Sequence, residues 1–466
     1  MHVTVLGAGL AGLSCAYELC KAGHKVTILE KDSVAGGLAH SYQIGDFTVD
    51  HGPHRFHSRD KELLAHVHEV MDNDLVVRDR ISRIYLKGRF FYYPLQAGNV
   101  IRNLPPHILI KAFIDYIAIR IKNRFYPIPD SHFENWVTKR FGKTLYNIFF
   151  GMYTAKAWHM PCNQISADWA SQRISQLNLW DAVKTTLRPP KHGEVRSLVS
   201  KFWYPRAGGI GSLGINYADK IRKMGGEVLL NTPVDRLLRD GEKITGIAYT
   251  KNGERVVDHA DYVVSTIPLP HLIERMDPPA PEDVLKSVGK LRYLSIVFVY
   301  LEVSRPVVTT DHWVYLPEKH LKTHRISEFK NFSEETGPKD RTMICAEMTC
   351  VPGDETWNMS LEEASKLAIR DLESIGLLKP GEAKGVFLTK IYHAYPVYDL
   401  TYKENLEKLK QFVKPFENLD TTGRQGLYRY NNMDHSIAMG RKMARGLIRG
   451  VDAGAHAVAT GEEYFG

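Results

Sequence analysis

Gly7-Ala-Gly9-Leu-Ala-Gly12 is the stretch that decides the fold of the first part of this chain. The apolar residues 2–6 precede it and predict a buried strand, while residues 11–22 predict a helix and residues 25–30 a second strand. Glycines at these three positions permit a tight turn, a close approach of backbone to a ligand, and close packing of helix on strand. The sequence therefore predicts a β-α-β unit that binds the pyrophosphate of a dinucleotide where its helix begins.

The residues after the second strand choose between the dinucleotides. Glu30 ends that strand, where a carboxylate accepts hydrogen bonds from the adenosine ribose hydroxyls. Gly36-Gly37 follows, and this acid-then-glycine-pair pattern resembles a flavoprotein signature that nicotinamide dehydrogenases do not usually carry. We therefore expect FAD, held without a covalent bond because no Cys or His stands in a recognisable attachment context. Chance structural glycines and an ordinary Gly-Gly turn are the alternatives.

Length and composition indicate a soluble protein with more than one folding unit. The chain has 466 residues with a 44% hydrophobic share, enough for two or three units. Its formal charge of +8 suits an anionic ligand, but charge alone does not choose among a cofactor, a phosphorylated substrate, nucleic acid and a membrane surface. Nucleic acid is not expected, because no long basic run is interleaved with aromatics. Five scattered cysteines and the lack of a signal-peptide pattern predict a reduced, cytoplasmic protein.

The order of predicted elements indicates an α/β (α+β) fold with a discontinuous cofactor domain. Strand signals predict a Rossmann-like FAD-binding domain built from residues 1–59, 200–290 and 420–466. Residues 60–199 turn helical and aromatic, which predicts a helical substrate or cap domain. Residues 291–419 predict a substrate domain with a second, mostly antiparallel sheet.

One apolar segment of the helical block, residues 108–121, raises the question of a membrane. It is shorter than the roughly 20 residues that a spanning helix needs, and Lys111, Asp115 and Arg120 interrupt it. We interpret it as a buried domain helix, with a helix lying on a membrane face as the alternative.

Beyond Gly37 the chain resembles the flavin amine oxidase and protoporphyrinogen oxidase superfamily, with its nearer likeness to UDP-galactopyranose mutases of the eukaryotic type. The likeness runs from Gly7 to about Gly440. It is carried by segments that include Asp50-His-Gly52-Pro53-His54-Arg-Phe56, Ser166-Ala-Asp-Trp169-Ala-Ser-Gln-Arg173, Trp313-Val-Tyr315, His393-Ala-Tyr395-Pro396 and Gly423-Arg424-Gln-Gly-Leu-Tyr428. The resemblance implies the fold of the amine oxidases and mutases, with FAD as cofactor.

The resemblance also assigns residues around the cofactor. His54 matches a mutase histidine that lies beside the flavin ring, and Gly52 is implied to let backbone approach that ring. Val234 is implied to contribute a backbone pair that recognises the adenine. The remaining flavin contacts are implied near the C-terminus, at Arg424, Asn432, Met433 and Asp434.

His51, His54 and His57 lie close together in the sequence, and a metal site is the obvious rival interpretation. We expect no metal, because no further ligand group stands elsewhere at a recognisable spacing. A plain surface loop is a second alternative.

For the substrate, the resemblance implies a diphosphate clamp. Arg173 is the leading residue, since a guanidinium fork matches phosphate oxygens; an exposed helix arginine is the alternative. Tyr395 and Tyr428 are implied to donate to phosphate or sugar oxygens, although core tyrosines are common. Mutases carry a second such arginine in the strand region after the helical insertion, where this chain offers Arg292 or Arg305.

Two enzymatic functions follow from the resemblance. The preferred one is a mutase that interconverts pyranose and furanose forms of a nucleotide sugar through reduced FAD. In this function His54 and Arg173 are the catalytic residues, and NAD(P)H is a candidate external reductant. The alternative is an oxidase or dehydrogenase that takes a hydride from a small organic substrate. A non-catalytic flavin-binding scaffold is disfavoured, because the flavin-edge segments are present as well as the nucleotide cradle. The sequence does not indicate the sugar, the base or the oligomeric state.

Overall fold

The computed structural model describes residues 1–173 and 201–460, with the side chains of residues 172 and 173 left out. Its strands are, in chain order, β1 His2–Leu6, β2 Lys25–Leu29, β3 Ser41–Ile44, β4 Phe47–Asp50, β5 Leu75–Asp79, β6 Ser82–Leu86, β7 Arg89–Tyr92, β8 Lys201–Pro205, β9 Glu227–Leu229, β10 Val234–Asp240, β11 Lys243–Lys251, β12 Glu254–Asp258, β13 Tyr262–Ser265, β14 Met276–Asp277, β15 Tyr293–Val303, β16 Trp313–Tyr315, β17 Arg325–Glu328, β18 Thr342–Cys350, β19 Ala383–Pro396 and β20 Leu419–Thr421.

The α-helices of the described residues are α1 Leu10–Lys21, α2 Lys61–Val70, α3 Ala97–Asn103, α4 Pro106–Phe125, α5 Phe133–Phe141, α6 Lys143–Leu145, α7 Gly151–Trp158, α8 Ala167–Arg173, α9 Ser212–Lys223, α10 Leu269–Glu274, α11 Glu282–Val288, α12 Glu355–Asn358, α13 Leu361–Ser374, α14 Tyr402–Val413, α15 Gly423–Gly426 and α16 Met433–Arg449. A π-helical turn, Tyr146–Phe150, joins α6 to α7. Short 3₁₀ turns are Cys162–Gln164, Phe329–Asn331, Glu334–Thr336 and Ala455–Ala457.

A five-stranded parallel sheet of order β20-β13-β1-β2-β9 forms the Rossmann-like layer. Helix α1 packs against both this sheet and α16. At their crossing an added Cβ on Gly440 would come within 2.0 Å of the Ala11 carbonyl oxygen. Ser14 Oγ bridges the two helices, donating to the carbonyls of Ala11 and Ile437 at 3.1 Å each. Helix α16 is thus packed onto the first helix of the chain.

The second large sheet has seven strands in the order β19-β15-β18-β17-β16-β6-β7. Its neighbours are antiparallel except for the parallel pair β16–β6. Strands β15 and β18 are buried almost throughout and mostly apolar, as central strands covered on both faces should be, although the buried Glu347 stands on β18. The predicted α/β (α+β) fold with a second, mostly antiparallel sheet is confirmed. A smaller sheet has four strands in the order β12-β11-β10-β14.

Three strands, β5, β6 and β7, lie inside the block that was expected to be helical. In β6 the side chains alternate between buried and partly buried. This period of two is that of a strand and does not match the helical spacing expected for the block. Because β6 and β7 belong to the second sheet, the continuous run of helices in this block begins at α3. The three domain ranges stay a prediction.

Helix α4 contains the segment expected to be a buried domain helix, and that expectation is wrong. Pro106 occupies the first turn, and of the whole helix Ala112 and Tyr116 are the buried residues. Apolar side chains occur around most of the helix circumference, so their spacing could not show which face the fold would cover. Among the described residues, no helix combines the length and the apolar character needed to cross a bilayer.

Candidate active site

The turn between β1 and α1 forms a cradle that requires glycine. Gly7 has a φ of +98°, and an added Cβ would lie 2.6 Å from Thr266 Oγ1. An added Cβ on Gly12 would lie 2.1 Å from the Gly7 carbonyl oxygen. Gly9 caps α1, and an added Cβ there would meet none of the described atoms within 4 Å. The turn therefore leaves space for an anionic group at the start of α1.

The Gly36-Gly37 pair closes the cradle from the other side. Both residues have positive φ, +126° and +61°. The Gly36 N–H donates to the Ala8 carbonyl at 2.8 Å, and an added Cβ on Gly37 would lie 3.0 Å from Gly9 Cα. Backbone of two separate turns thus meets with no room for a side chain between them.

Glu30 ties these turns together. Its Oε2 accepts from the Ala8 N–H at 2.7 Å and its Oε1 from the Asp32 N–H at 2.9 Å. Burial raises the pKa of Glu30, and these two donors act against that rise. A carboxylate offers about four lone-pair sites, so the group keeps acceptor capacity for ribose hydroxyls beyond its two backbone bonds.

Val234 begins β10 and is buried. Its carbonyl accepts a hydrogen bond from Arg275 Nε at 2.8 Å. The part of its backbone in adenine recognition stays a prediction.

The segment after β4 brings His54 to the polar centre of the site. Gly52 has a φ of +74°, and an added Cβ would lie 3.1 Å from Glu347 Oε1. The His54 N–H donates to the Gly52 carbonyl at 2.8 Å, and its Nδ1 has no hydrogen-bond partner among the described residues. Burial lowers the pKa of His54 to about 3, and the nearby Arg325 and Arg424 act in the same direction. His54 is therefore a neutral imidazole.

The start of α16 presents polar groups that lack protein partners. Asn432 caps the helix in a reciprocal capping box with His435. Within the described part of the chain, Asn432 Nδ2 and Asp434 Oδ1 are buried without a hydrogen-bond partner. Burial raises the pKa of Asp434 to about 7. Met433, also buried, stands between them. Such unpartnered buried groups are costly unless a bound molecule satisfies them, and a flavin ring has the polar edge to do so.

Arg424 is held by backbone and aromatic rings. Its Nη1 donates to the Asn431 carbonyl at 2.7 Å and its Nη2 to the Ala394 carbonyl at 2.8 Å. The guanidinium lies 4.4 Å from the ring centre of Tyr430 and 5.5 Å from that of Tyr395. No ion pair joins it to an acid among residues 1–173 and 201–460, so it contributes positive charge to this region.

A cavity of about 320 Å³ lies between the helical segment and the second sheet. Of the 26 residues that line it, 22 are aliphatic or aromatic, and the others are Thr154, His324, Arg325 and Thr349. Trp158 and Trp169 form part of the wall, edge to face with ring centres 4.5 Å apart. An apolar pocket with few convergent polar groups is the usual form of a small-molecule site.

Arg325 and Glu347 mark the polar end of this cavity. They stand directly opposite each other on β17 and β18. The guanidinium donates two hydrogen bonds to the carboxylate, from Nε to Oε1 at 2.8 Å and from Nη2 to Oε2 at 2.6 Å. Although burial alone would lower the pKa of Arg325, the Glu347 carboxylate outweighs it and raises that pKa. The pair is neutral overall. An arginine has five N–H donors, and among the described residues hydrogen bonds are seen for two of those of Arg325, which leaves donors to meet a ligand.

Lys156 of α7 fixes the hairpin that carries this polar end. Its Nζ donates to three carbonyls of the β16–β17 loop, those of Leu316, Glu318 and Thr323, at 2.6, 3.1 and 2.8 Å. Burial lowers the pKa of Lys156 to about 7. Tyr315 and Arg325 pair in register at the ends of the two strands, so α7 sets the position of both.

Of the residues predicted to bind substrate, Tyr395 lines the cavity and Tyr428 does not. Tyr395 stacks on Tyr430 with ring centres 5.5 Å apart. The Tyr428 hydroxyl donates to the Arg292 carbonyl and accepts from the Val397 N–H at 3.1 Å. Backbone thus already occupies this hydroxyl, and the role of Tyr428 toward phosphate or sugar stays a prediction. Arg173 ends α8, and its side chain lies outside the described part of the chain.

The two residues expected to supply a second diphosphate arginine lie away from the cavity. Arg292 is 62% exposed and pairs with Asp399 at 3.5 Å, while Arg305 pairs with Glu382 at 3.3 Å. Neither lines the cavity, whereas Arg325 does. The signal that could have found it is Trp313-Val-Tyr315, since a hairpin from that strand returns to the arginine.

Two amides of the glycine loop after β8 are bonded to side chains of the protein. Asp50 Oδ1 accepts from the Ile210 N–H at 3.1 Å, and Ser41 Oγ accepts from the Gly211 N–H at 2.7 Å. The amides at this helix start are thus satisfied within the protein. Among the described residues no group of three His, Cys, Asp or Glu side chains is placed to hold a metal ion.

A family model described as flavin containing amine oxidoreductase matches residues 10–428. The all-trans-retinol 13,14-reductase of Danio rerio is 22% identical over 400 residues, which cover 77% of this chain and 63% of that protein, so the chain spans less than two thirds of its length. The solved structure of reduced UDP-galactopyranose mutase superposes with a TM-score of 0.84 at 22% identity, covering 98% of this chain and 96% of that one. A putrescine oxidase bound to putrescine gives a TM-score of 0.64 at 18% identity, covering 96% and 99%. At these identities the solved structures establish the fold.

Proposed function

We propose a net redox reaction on an apolar organic substrate for this chain, which belongs to the family of flavin-containing amine oxidoreductases. The observation that carries the proposal is the composition of the cavity, with 22 aliphatic or aromatic residues among its 26. Its guanidinium, from Arg325, is already neutralised by Glu347. A hydrocarbon gains free energy by entering such a pocket, whereas a diphosphate would lose its hydration and, among the described residues, gain one unpaired cation nearby, that of Arg424, which donates to backbone carbonyls.

Membership of the family implies FAD, and residues of this chain fit it. Gly9 leaves space at the start of α1, Glu30 keeps acceptor capacity beside that space, and Asn432 has an unpartnered buried amide among the described atoms. When bound, FAD supplies a group that can accept or donate a hydride. That the cofactor is held without a covalent bond stays a prediction.

The cavity residues have distinct roles in this proposal. The aromatic walls exclude water and hold the apolar part of the substrate. Burial raises the pKa of both Tyr153 and Tyr395, so their hydroxyls stay protonated and can donate to a polar group of the substrate. His54 does not line the cavity but lies near Arg325 and Arg424; as a neutral imidazole it can orient a polar group or pass a proton without adding charge there.

A nucleotide-sugar mutase is the second candidate, favoured by the convergence of Arg325, Tyr395 and Arg424 at one end of the cavity. In this version Arg173 completes a diphosphate clamp, and an external reductant such as NAD(P)H keeps the cofactor reduced. The fold suits a mutase as well as it suits an oxidoreductase. Against it stands the carboxylate of Glu347, which cancels the charge of Arg325 where a clamp needs an excess of cations.

Ligand-dependent thermal unfolding of the FAD-loaded protein separates the two. Because a ligand that binds the folded state raises Tm, we expect polyenes such as all-trans-retinol, and long-chain amines, to raise it and UDP-, dTDP- and GDP-sugars to leave it unchanged. Ala157→Trp, which fills the cavity from α7, should abolish the response. Ala118→Trp, on the exposed side of α4, is the matched control and should keep it. Stabilisation by nucleotide sugars alone would overturn the redox proposal.

A further inference from the structure

One side of α4 is apolar and exposed along the length of the helix. Six large side chains recur every three or four residues, which places them on a single face. They are between 41% and 70% exposed, and we call them the α4 face: Ile110, Phe113, Ile114, Ile117, Ile121 and Phe125. With Ile101 and Tyr126 they make up eight of the 22 large hydrophobic side chains that are exposed among the described residues. Scattered exposed hydrophobics are ordinary, but a contiguous set marks an interaction surface.

Cations flank the α4 face along both edges. With about 100° between successive residues of a helix, Lys111 and Lys122 lie along one edge. Arg120 and Arg124 lie along the other. In the part of the chain that the structure describes, no ion pair joins any of the four to an acid. Asp115, the acid of α4, points into the protein and accepts from the Thr144 N–H at 3.1 Å.

We propose that the α4 face docks on an anionic lipid surface, with the helix lying in the plane of the interface. An apolar stripe bordered by lysine and arginine is the pattern of interfacial helices, which bury the stripe at the acyl boundary. The long cationic side chains reach from the edges of the stripe to lipid phosphates. At 20 residues α4 is about 30 Å long, so the whole stripe can lie flat on one membrane.

A second copy of the chain fits this face less well. A symmetric contact places the same patch on both subunits, so the four cations of one α4 would face the four of the other. The described residues of the helix offer no acid on that face to pair with them. An anionic membrane supplies both the apolar layer and the negative charge.

The cavity begins directly beneath the docking face. Ile101, Leu109, Ala112 and Phe113 of α3 and α4 line it, and Phe113 belongs to the α4 face as well. Resting on the proposed function, this arrangement makes the substrate a lipid-soluble molecule that reaches the cavity from the bilayer. The docking itself does not depend on the reaction.

Vesicle sedimentation with the FAD-loaded protein tests the proposal without any substrate. The probe vesicles contain phosphatidylcholine with about one third phosphatidylglycerol, and pure phosphatidylcholine is the comparison. We expect binding to the anionic vesicles that weakens as salt is added. The triple variant Ile114→Glu, Ile117→Glu, Ile121→Glu should bind at least about 10-fold more weakly. The pair Lys111→Glu, Lys122→Glu should lose most of the preference for anionic vesicles.

Ile215→Glu is the matched control, because Ile215 is 45% exposed on α9, away from the α4 face. It should bind as the wild type does, and retained flavin colour shows that each variant is folded. The proposal is overturned if the wild type stays in the supernatant, or if the triple variant sediments equally well. A concentration-dependent dimer that the triple variant abolishes, without vesicle binding, would assign the face to a second copy instead. Vesicle binding with no redox activity on lipids would count against the proposed function alone.

Discussion

The nucleotide cradle and the cavity are built in opposite ways. The cradle is made of backbone from one continuous stretch, where Gly7, Gly9 and Gly12 meet Gly36-Gly37 and Glu30 anchors the turn. The cavity is made of side chains from α3 to α8 and from strands of the second sheet. A backbone cradle tolerates little change, because an added Cβ on Gly7 or Gly12 collides with the protein and one on Gly9 fills the space left for the ligand. A side-chain cavity can change its substrate by exchanging residues while the fold remains.

This contrast explains why one fold can serve a mutase, an amine oxidase and this chain. The parallel sheet and its cradle supply the cofactor site in a form that sequence patterns reveal. The substrate end depends on which side chains meet, and here the pair of Arg325 with Glu347 decides its charge. Changes in the cavity and changes in the cradle should therefore have different consequences.

The largest effect on stability is expected at the polar end of the cavity. Arg325→Met leaves the fully buried Glu347 without its partner, which should lower the free energy of unfolding by about 3–5 kcal/mol. Adding Glu347→Leu should recover most of that loss, since no charge then remains buried. Urea denaturation of the two variants measures both. A single variant as stable as the wild type would show that the pair is not ionised in the folded protein.

Substitutions at two glycines of the cradle are expected to change different properties, the stability of the fold and the affinity for FAD. Gly12→Ala puts a Cβ 2.1 Å from a backbone oxygen and should lower the free energy of unfolding by about 3 kcal/mol. Gly9→Ala meets nothing among the described residues within 4 Å, so the apoprotein should keep its stability while FAD binds about 100-fold more weakly, near 2.7 kcal/mol. FAD titration and thermal unfolding of the apoprotein give the two values. Unchanged FAD affinity in Gly9→Ala would place the pyrophosphate elsewhere.

Replacing Tyr428 or Tyr395 by Phe is expected to have a smaller effect, on stability in one case and on ligand binding in the other. Tyr428→Phe removes a hydroxyl that bonds to backbone of Arg292 and Val397, and should cost about 1–2 kcal/mol of unfolding free energy while ligand binding stays unchanged. Tyr395→Phe should do the reverse, weakening binding of a polar-headed ligand with little loss of stability. Ligand-dependent Tm together with urea denaturation distinguishes them. Loss of binding in Tyr428→Phe would support its predicted substrate role.

The smallest change is expected at His54. Its pKa of about 3 lies below that of a histidine in the unfolded chain, so the unfolded state binds the proton better and stability falls as the pH drops below about 6. His54→Gln should therefore lose less stability in that acid range than the wild type. Above it the imidazole is already neutral, so the pH dependence of flavin reduction should keep its shape. A limb of that profile that disappears in the variant would show that His54 titrates during the reaction.

The cradle could be predicted because its signals are local. Gly7, Glu30 and Gly37 lie within one short stretch, and the spacing of strand, turn and helix restricts what they can form. Arg325 and Glu347 could not be found in the same way, because two strands far apart in sequence must pair before they meet. The Trp313-Val-Tyr315 segment belongs to the hairpin that carries Arg325, whereas Arg292 and Arg305 flank the earlier strand β15.

The exposure of α4 and the strands β6 and β7 were missed for another reason. An all-round apolar helix satisfies the pattern of a buried one, and only the rest of the fold decides which face is covered. Short strands beside aromatic helices give too few residues for a period of two to stand out. Both errors concern tertiary context rather than local preference.

The absorbance of the flavin during anaerobic mixing tests the central claim most directly. The dithionite-reduced protein, freed of excess reductant, is mixed in parallel with all-trans-retinol, with other lipid-soluble polyenes, and with UDP-galactopyranose. We predict that an apolar acceptor restores the oxidised spectrum with one molecule of reduced product per flavin, that Ala157→Trp slows this step, and that the nucleotide sugar is recovered unchanged. Conversion of the nucleotide sugar to its furanose form with no net change in the flavin, while every apolar compound fails, would contradict the account.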